Sequence, residues 1–257
     1  MARIISIVNQ KGGVGKTTTA VNLAAYLAKY GKNVLLVDTD PQANATSGLG
    51  IDHQNLDKGI YEVITGQHSL RHVIVPTAHE GLRVAPATMS LAGASVELVN
   101  EVEREFKLAK VLMEAHGGYD YVLIDCPPSL GLITINSLTA ADEILIPIQA
   151  EYYALEGLGQ LLNTINLVKE NLKPDLKILG AVLTMYDRRV SLSNEVMEQL
   201  YRYFPAKIFR SVIPRAVNLA EAPSHGKSIL AYSPFSKAAR AYERLAQEVM
   251  ATENQNL

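Results

Sequence analysis

The chain has 257 residues, 48% of them hydrophobic and 19% charged, which suits one α/β domain with a sizeable core or at most two small ones. A net charge of −2 excludes a global field that draws the protein to nucleic acid or a bilayer, so any such binding needs a local patch. A single cysteine, Cys126, excludes an internal disulfide and a multi-cysteine metal site within one chain, and it fits a reducing cytoplasm.

The chain enters a strand-like run at Ile4 with no charged leader or signal-type stretch, and no apolar run approaches the ~18 residues of a membrane span. A soluble, cytoplasmic protein is expected. Strand-like runs recur at Arg3–Asn9, Asn33–Asp38, Gly81–Ala85, Tyr121–Asp125, Ile144–Ile148 and Ile178–Thr184, and most are continuous and β-branched, the pattern of strands buried on both faces. Amphipathic segments lie between and after them, at Thr17–Tyr30, Val96–His116, Thr134–Ala141, Leu155–Asn171, Ser191–Tyr203 and Ser236–Ala251. Gly31 reads as a helix cap, and Lys173-Pro174 closes the helix before the Ile178 strand. This alternation predicts a doubly wound, mostly parallel sheet flanked by helices. With no repeat or long linker, residues 1–251 read as one domain and 252–257 as a frayed polar tail.

The first strand feeds "QKGGVGKTT", and Lys16 or Thr17 opens the first helix. Strand, Gly-rich loop and helix in that order are the context of a phosphate-binding loop, hence a P-loop NTPase fold. Gly12, Gly13, Val14, Gly15, Lys16, Thr17 and Thr18 form the expected cradle, in which backbone N–H groups and the helix N-terminus meet phosphate oxygens. Lys16 is expected to bridge the terminal phosphates, and the Thr17 hydroxyl to ligate Mg²⁺. A bare βα turn gives no use for two loop lysines. The ordinary pattern has glycine where this chain has Gln10, and Lys11 is additional. At the loop's first turn Lys11 can reach the phosphates of a facing subunit, as an arginine finger does, and Gly12 lets two loops approach closely. "KGGVGKTT" resembles the deviant Walker A motif of the MinD/ParA ATPases, with Lys11 as the signature lysine. That resemblance implies an ATP-dependent sandwich homodimer with Lys11 and Gly12 at its interface.

Asp38 and Asp40, in "VLLVDTDPQ", end the second strand on the ligand side, and strand alternation points them the same way. A turn or cap role before a helix is the plainer alternative. "YDYVLIDCPPS" ends a buried strand in Asp125, a Walker B match, and Pro127 and Pro128 stiffen the loop that follows. By resemblance, Asp40 orients or activates the attacking water, Asp38 supports the metal shell and Asp125 holds a metal-bound water. Lys11, Lys16 and Asp40 are therefore the catalytic candidates, and Thr17, Asp38 and Asp125 the metal candidates. A cluster shared between subunits needs two cysteines per chain, so Cys126 reads as a small buried residue.

Charge is uneven. Lys and Arg number 14 against 19 Asp and Glu up to residue 183, but 10 against 5 from residue 184 to 244. A basic third on a nearly neutral chain is the footprint of phosphate-backbone binding, without a recognition helix or interleaved aromatics, hence sequence-independent. Scattered solvated side chains are the plainer reading of any one of them. Arg189, Arg215, Lys227 and Arg240 are the DNA-binding candidates.

"DTDPQANATSGLG", "DCPPSLGLITINSL", "IPIQAEYYALEGL", "LTMYDRR" and "VIPRAVNLAEAPSHGKSI" resemble the chromosomal ParA/Soj branch from about Arg3 to Met250. The resemblance implies a slow DNA-segregation ATPase whose ATP-bound dimer coats double-stranded DNA nonspecifically, on the nucleoid, until a ParB-type centromere-binding protein stimulates hydrolysis. It assigns Arg189 to DNA, and Met185 and Pro214 to the adenine wall. Ala216 stands where relatives commonly have Asn, and Asn218 where they often carry a basic residue. A MinD-like membrane ATPase is the alternative, but "ARAYERLAQEVMATENQNL" lacks the bulky apolar face of a membrane-inserting helix. A relative acting through protein contacts alone is another, and operator-specific repression is not expected with a first strand starting at Ile4.

Overall fold

A run such as Ile4-Ile5-Ser6-Ile7-Val8 cannot bury its side chains on one side, because successive strand residues point to opposite faces. The chain covers both faces of a single sheet instead. The computed structural model describes residues 2–115, 117–151, 154–204 and 206–253. Its strands are β1 (Arg3–Ile7), β2 (Val34–Asp38), β3 (Val75–Pro76), β4 (Leu82–Ala85), β5 (Tyr121–Asp125), β6 (Glu143–Gln149), β7 (Lys177–Tyr186) and β8 (Ile208–Pro214). They lie in the order β3-β4-β2-β5-β1-β6-β7-β8, and only β3 against β4 is antiparallel. The α-helices are α1 (Lys16–Lys29), α2 (Asn44–Gly48), α3 (Ile60–Ile64), α4 (Ala94–Glu97), α5 (Lys107–Leu112), α6 (Leu132–Ala140), α7 (Ala154–Asn171), α8 (Ser191–Tyr203), α9 (Val217–Glu221), α10 (Ile229–Tyr232) and α11 (Lys237–Ala251).

Ile5, Ile7, Leu36, Leu123 and Leu145 pack on one face with α1 and α11. Ile4, Leu35, Val37, Val122 and Ile146 pack on the other with α6 and α7. The doubly wound, mostly parallel sheet is thus as expected. β1 lies between β5 and β6, so the strand order reverses beside it and a crevice opens beyond its C-terminal end. The next loop begins there.

Two strands escaped the sequence reading. β8 alternates buried and exposed residues and carries Arg210, so it reads as part of the basic surface rather than as a hydrophobic run. β3 has only two residues and contains Pro76, which an edge strand tolerates. The segment expected as one helix from Val96 to His116 is broken into short pieces, and His116 lies outside the described residues. The break is held from α6: Asn136 Nδ2 donates to the Arg104 carbonyl (2.8 Å), its Oδ1 accepts from Leu108 N (3.1 Å), and the Thr139 hydroxyl donates to the Glu105 carbonyl (2.6 Å). Backbone groups that a continuous helix would pair internally are satisfied by side chains instead.

Of the expected frayed tail, Thr252 and Glu253 pack on the body. Arg3 donates to the Thr252 hydroxyl (2.8 Å), and Glu253 pairs with Lys32 and accepts from the Tyr121 hydroxyl. Residues 254–257 lie outside the described residues.

Candidate functional site

The chain leaves β1 through Asn9, whose side chain fixes the loop from both ends. Its Nδ2 donates to the Pro147 carbonyl (2.8 Å) and its Oδ1 accepts from Lys11 N (3.0 Å). Gln10 donates to Gln160 on α7 (2.8 Å), so the residue that replaces a glycine ties the loop to a neighbouring helix. Gly13 and Gly15 hold φ of +74° and +88°, where a side chain costs ~1–2 kcal/mol. That turn delivers the chain into α1 with the helix's first N–H groups unpaired by the helix itself. The Val14 carbonyl accepts from the buried Thr184 hydroxyl (2.7 Å), which pins the loop to β7.

Gly12, Gly13, Gly15, Lys16, Thr17 and Thr18 line a cleft of about 420 Å³, with Asp40, Pro128, Met185 and Lys227 on its other walls. A second cleft of about 220 Å³ shares Gly15, Thr18, Met185 and Leu219 with it and is otherwise walled by Ile213, Pro214, Arg215, Ala216, Ala220, Thr184 and Tyr242. The two together give a trough that carries the charged and hydroxyl groups of Lys16, Thr17, Thr18, Asp40 and Lys227 along one part and has an apolar end. This is the shape and polarity that phosphates and a planar base require.

The trough's charges are arranged for an anion. Lys16 is only 6% exposed, and its Nζ donates to the Lys11 carbonyl (3.1 Å). Burial lowers its pKa, and the nearby Asp125 and Asp40 carboxylates oppose that fall. Both Asp125 oxygens are buried without a hydrogen-bond partner. Burial first, and then the charge of Asp38 opposite it on β2, hold the Asp125 pKa well above the ordinary carboxylate range. The Thr17 hydroxyl and the Lys16 ammonium offset part of this. A buried carboxylate with free lone pairs beside a hydroxyl and a phosphate-type loop fits a divalent cation that retains water. Among the described residues no group of three or more His, Cys, Asp or Glu encloses a metal. The buried Asp125 oxygens beside Thr17 and the loop fit magnesium, which takes most of its ligands from water and phosphate.

Asp38 and Asp40 do not point the same way, because β2 ends at Asp38 and the alternation ends with it. Asp38 turns inward: its Oδ2 accepts from the Thr46 hydroxyl (2.7 Å) and N–H (2.9 Å), and its Oδ1 from Asp40 N (3.1 Å). It braces the loop and does not line the cleft. Asp40 does line it, with its Oδ1 accepting from Gln42 N (2.9 Å). Cys126 is wholly buried, as expected, and burial pushes its thiol up to about 12.

Lys11 is turned out of its own trough, with Nζ 3.5 Å from Glu151 Oε2. The four DNA candidates take separate partners. Arg189 grips Asp187 through Nε (3.0 Å) and Nη2 (2.6 Å), and the pair draws the Asp187 carboxyl down to about 2. Arg215 reaches Glu151 (3.2 Å), Arg240 donates to the Phe235 carbonyl (3.0 Å), and Lys227 borders the main cleft rather than only an outer face. Asn9, Thr46, Glu151, Thr184, Leu219 and Tyr242 were not singled out from sequence. Asn9 stands next to the loop in sequence and shows its role only through its partner Pro147, and the others reach the site through the assembled fold, which no local pattern records.

A family model for an AAA domain matches residues 2–178. The chain is 54% identical over 251 residues to the sporulation initiation inhibitor protein Soj of Bacillus subtilis, spanning 98% of this chain and 99% of that one. It is 49% identical over 257 residues to the chromosome-partitioning ATPase Soj of Treponema pallidum, spanning 99% and 100%. Among solved structures, a cobyrinic acid a,c-diamide synthase from Mycobacterium smegmatis with bound ATP analog and magnesium matches with a TM-score of 0.89 at 36% identity, over 100% of this chain and 98% of that one.

Proposed function

We infer how the cleft works from what the chain is: it belongs to the ParA/Soj family of chromosome-partitioning ATPases. It hydrolyses ATP to ADP and phosphate with magnesium. The base lies in the apolar cleft against Met185 and Pro214, and the N–H groups of Gly13 to Thr18 donate to the phosphates. Lys16 exchanges the Lys11 carbonyl for the terminal phosphates. The Thr17 hydroxyl and, through water, Asp125 would hold magnesium, which would supply charge neutralisation at the phosphates. Asp40 orients the attacking water and accepts its proton. Asp38 acts one step back, fixing Asp40 through its backbone N–H and through Thr46.

ATP closes two chains into a sandwich dimer, in which each Lys11 neutralises phosphate charge on the facing chain, an effect worth roughly 10³–10⁵ in rate for such a cation. The dimer doubles the basic third and binds double-stranded DNA without sequence preference. A ParB-type partner triggers hydrolysis and release, and residues 1–251 act as one ATPase domain in the cytoplasm, on the nucleoid. The observation that carries this reading is Lys11 itself: a loop lysine that leaves its own phosphate trough for the rim.

Gly12→Val tests it. A Cβ at Gly12 meets only Pro128 Cβ, at 3.8 Å, an ordinary van der Waals contact within the single chain. The variant should bind ATP and remain monomeric by light scattering. Normal ATP-dependent pairing would overturn the role given to Lys11.

The MinD-like alternative has less support. In α11, Ala238, Ala239, Tyr242, Leu245, Ala246 and Val249 are spent inside the fold, which leaves that helix no apolar face for a bilayer. No described helix is long and apolar enough to cross a membrane.

A further inference from the structure

We propose that Glu151 is a positioning residue for Lys11, holding it at home in the single chain and surrendering it when two chains pair. This rests on the reading that Lys11 acts on the facing subunit. Glu151 follows β6 at the rim of the trough, and three parts of the chain converge on its carboxylate. Oε2 lies 3.5 Å from Lys11 Nζ, and Oε1 takes Gln149 Nε2 (2.7 Å) and Arg215 Nη2 (3.2 Å).

The Lys11 ammonium cannot occupy this position and also reach a triphosphate held by another chain. The two arrangements exclude each other, so whatever the pair contributes at home opposes pairing. The release is nevertheless easy, because Glu151 keeps Gln149 and Arg215 when Lys11 departs and is not left as a bare carboxylate. With the two side chains 35% and 44% exposed, solvent and salt weaken the pair further. An exposed ion pair shifts an equilibrium by roughly 1.4- to 5-fold. Two such contacts open per dimer, which gives about 2- to 30-fold on the pairing constant.

The experiment compares the full chain with Glu151→Gln and Arg215→Gln. Sedimentation velocity with a non-hydrolysed ATP analogue and magnesium, without DNA, gives the dimerisation constant at low and high salt. Glu151→Gln keeps the size and an oxygen for Gln149 but drops the charge. It should pair 2- to 30-fold more tightly at low salt, with the gap closing at high salt. Arg215→Gln removes the competing cation, leaving Glu151 to Lys11 and Gln149, and should pair more weakly. A purely structural Glu151 would not give opposite signs. Unchanged or weaker pairing of Glu151→Gln overturns the proposal. If the parent chain does not pair with the analogue at all, the reading of Lys11 as a trans cation fails instead. The home contact is then judged separately, from the NMR signal of the Lys11 side chain in the nucleotide-free chain: a shift on Glu151→Gln supports it, and no shift overturns it.

Discussion

Lys16 is a cation stripped of most of its water, with the Lys11 carbonyl as a hydrogen-bond partner and the Asp125 and Asp40 carboxylates nearby, at the head of a loop built to take an anion. Lys16→Ala should weaken ATP binding by roughly 10²-fold, since hydrogen bonds to charged groups are worth ~1.5–3 kcal/mol, and fluorescence titration of a labelled nucleotide measures it. Asp40→Ala should lower hydrolysis by about 10²–10⁴-fold while ATP still drives pairing, read by phosphate release and light scattering. Lys16, Thr17 and Asp40 are legible because a loop or a strand end places each by local chain geometry. Asp38 is not. Its direction depends on where β2 stops and on the Thr46 hydroxyl eight residues on.

Short elements carry more of the fold's coherence than their lengths suggest. The turn between β3 and β4 brings the ring of His79 to the hydroxyl of Ser228 (3.0 Å), which also caps α10. Burial lowers the His79 pKa from 6.5, so the folded chain favours the neutral ring and the unfolded chain takes up a proton first. The stabilisation is present above about pH 6.5 and is lost as pH falls through the folded value. Urea midpoints should drop between about pH 7.5 and about pH 5.5, and His79→Gln should flatten that drop. The long helices α1, α7, α8 and α11 were readable from periodicity alone. β8 was not, because an alternating strand with arginine on its open face looks like a charged surface. The broken stretch before β5 was not either, because its breaks are satisfied by Asn136 and Thr139, far along the chain.

Across the whole molecule the basic third is dispersed: Arg189 is matched by Asp187, Arg215 by Glu151, and Lys227 borders the nucleotide cleft. On the proposed function, such a surface would hold a polyanion weakly in one copy and more firmly in two. DNA affinity should therefore rise with ATP and fall steeply with salt, and Arg189→Ala should reduce the slope of log affinity against log salt by about one. Equal affinity with and without ATP, in a titration at two salt concentrations, would count against the coupling. Order along the chain was enough to specify the parallel layered sheet, the glycine loop, Lys16 and the final amphipathic helix, since each follows from backbone sterics and residue period over a few neighbours. Tertiary packing settled the rest: which aspartate faces the cleft, and what Lys11 pairs with. The first is decided by where β2 stops and by hydrogen bonds from the Thr46 segment that follows it, and the second by Glu151, which Lys11 meets only when β1 and β6 lie side by side in the assembled sheet.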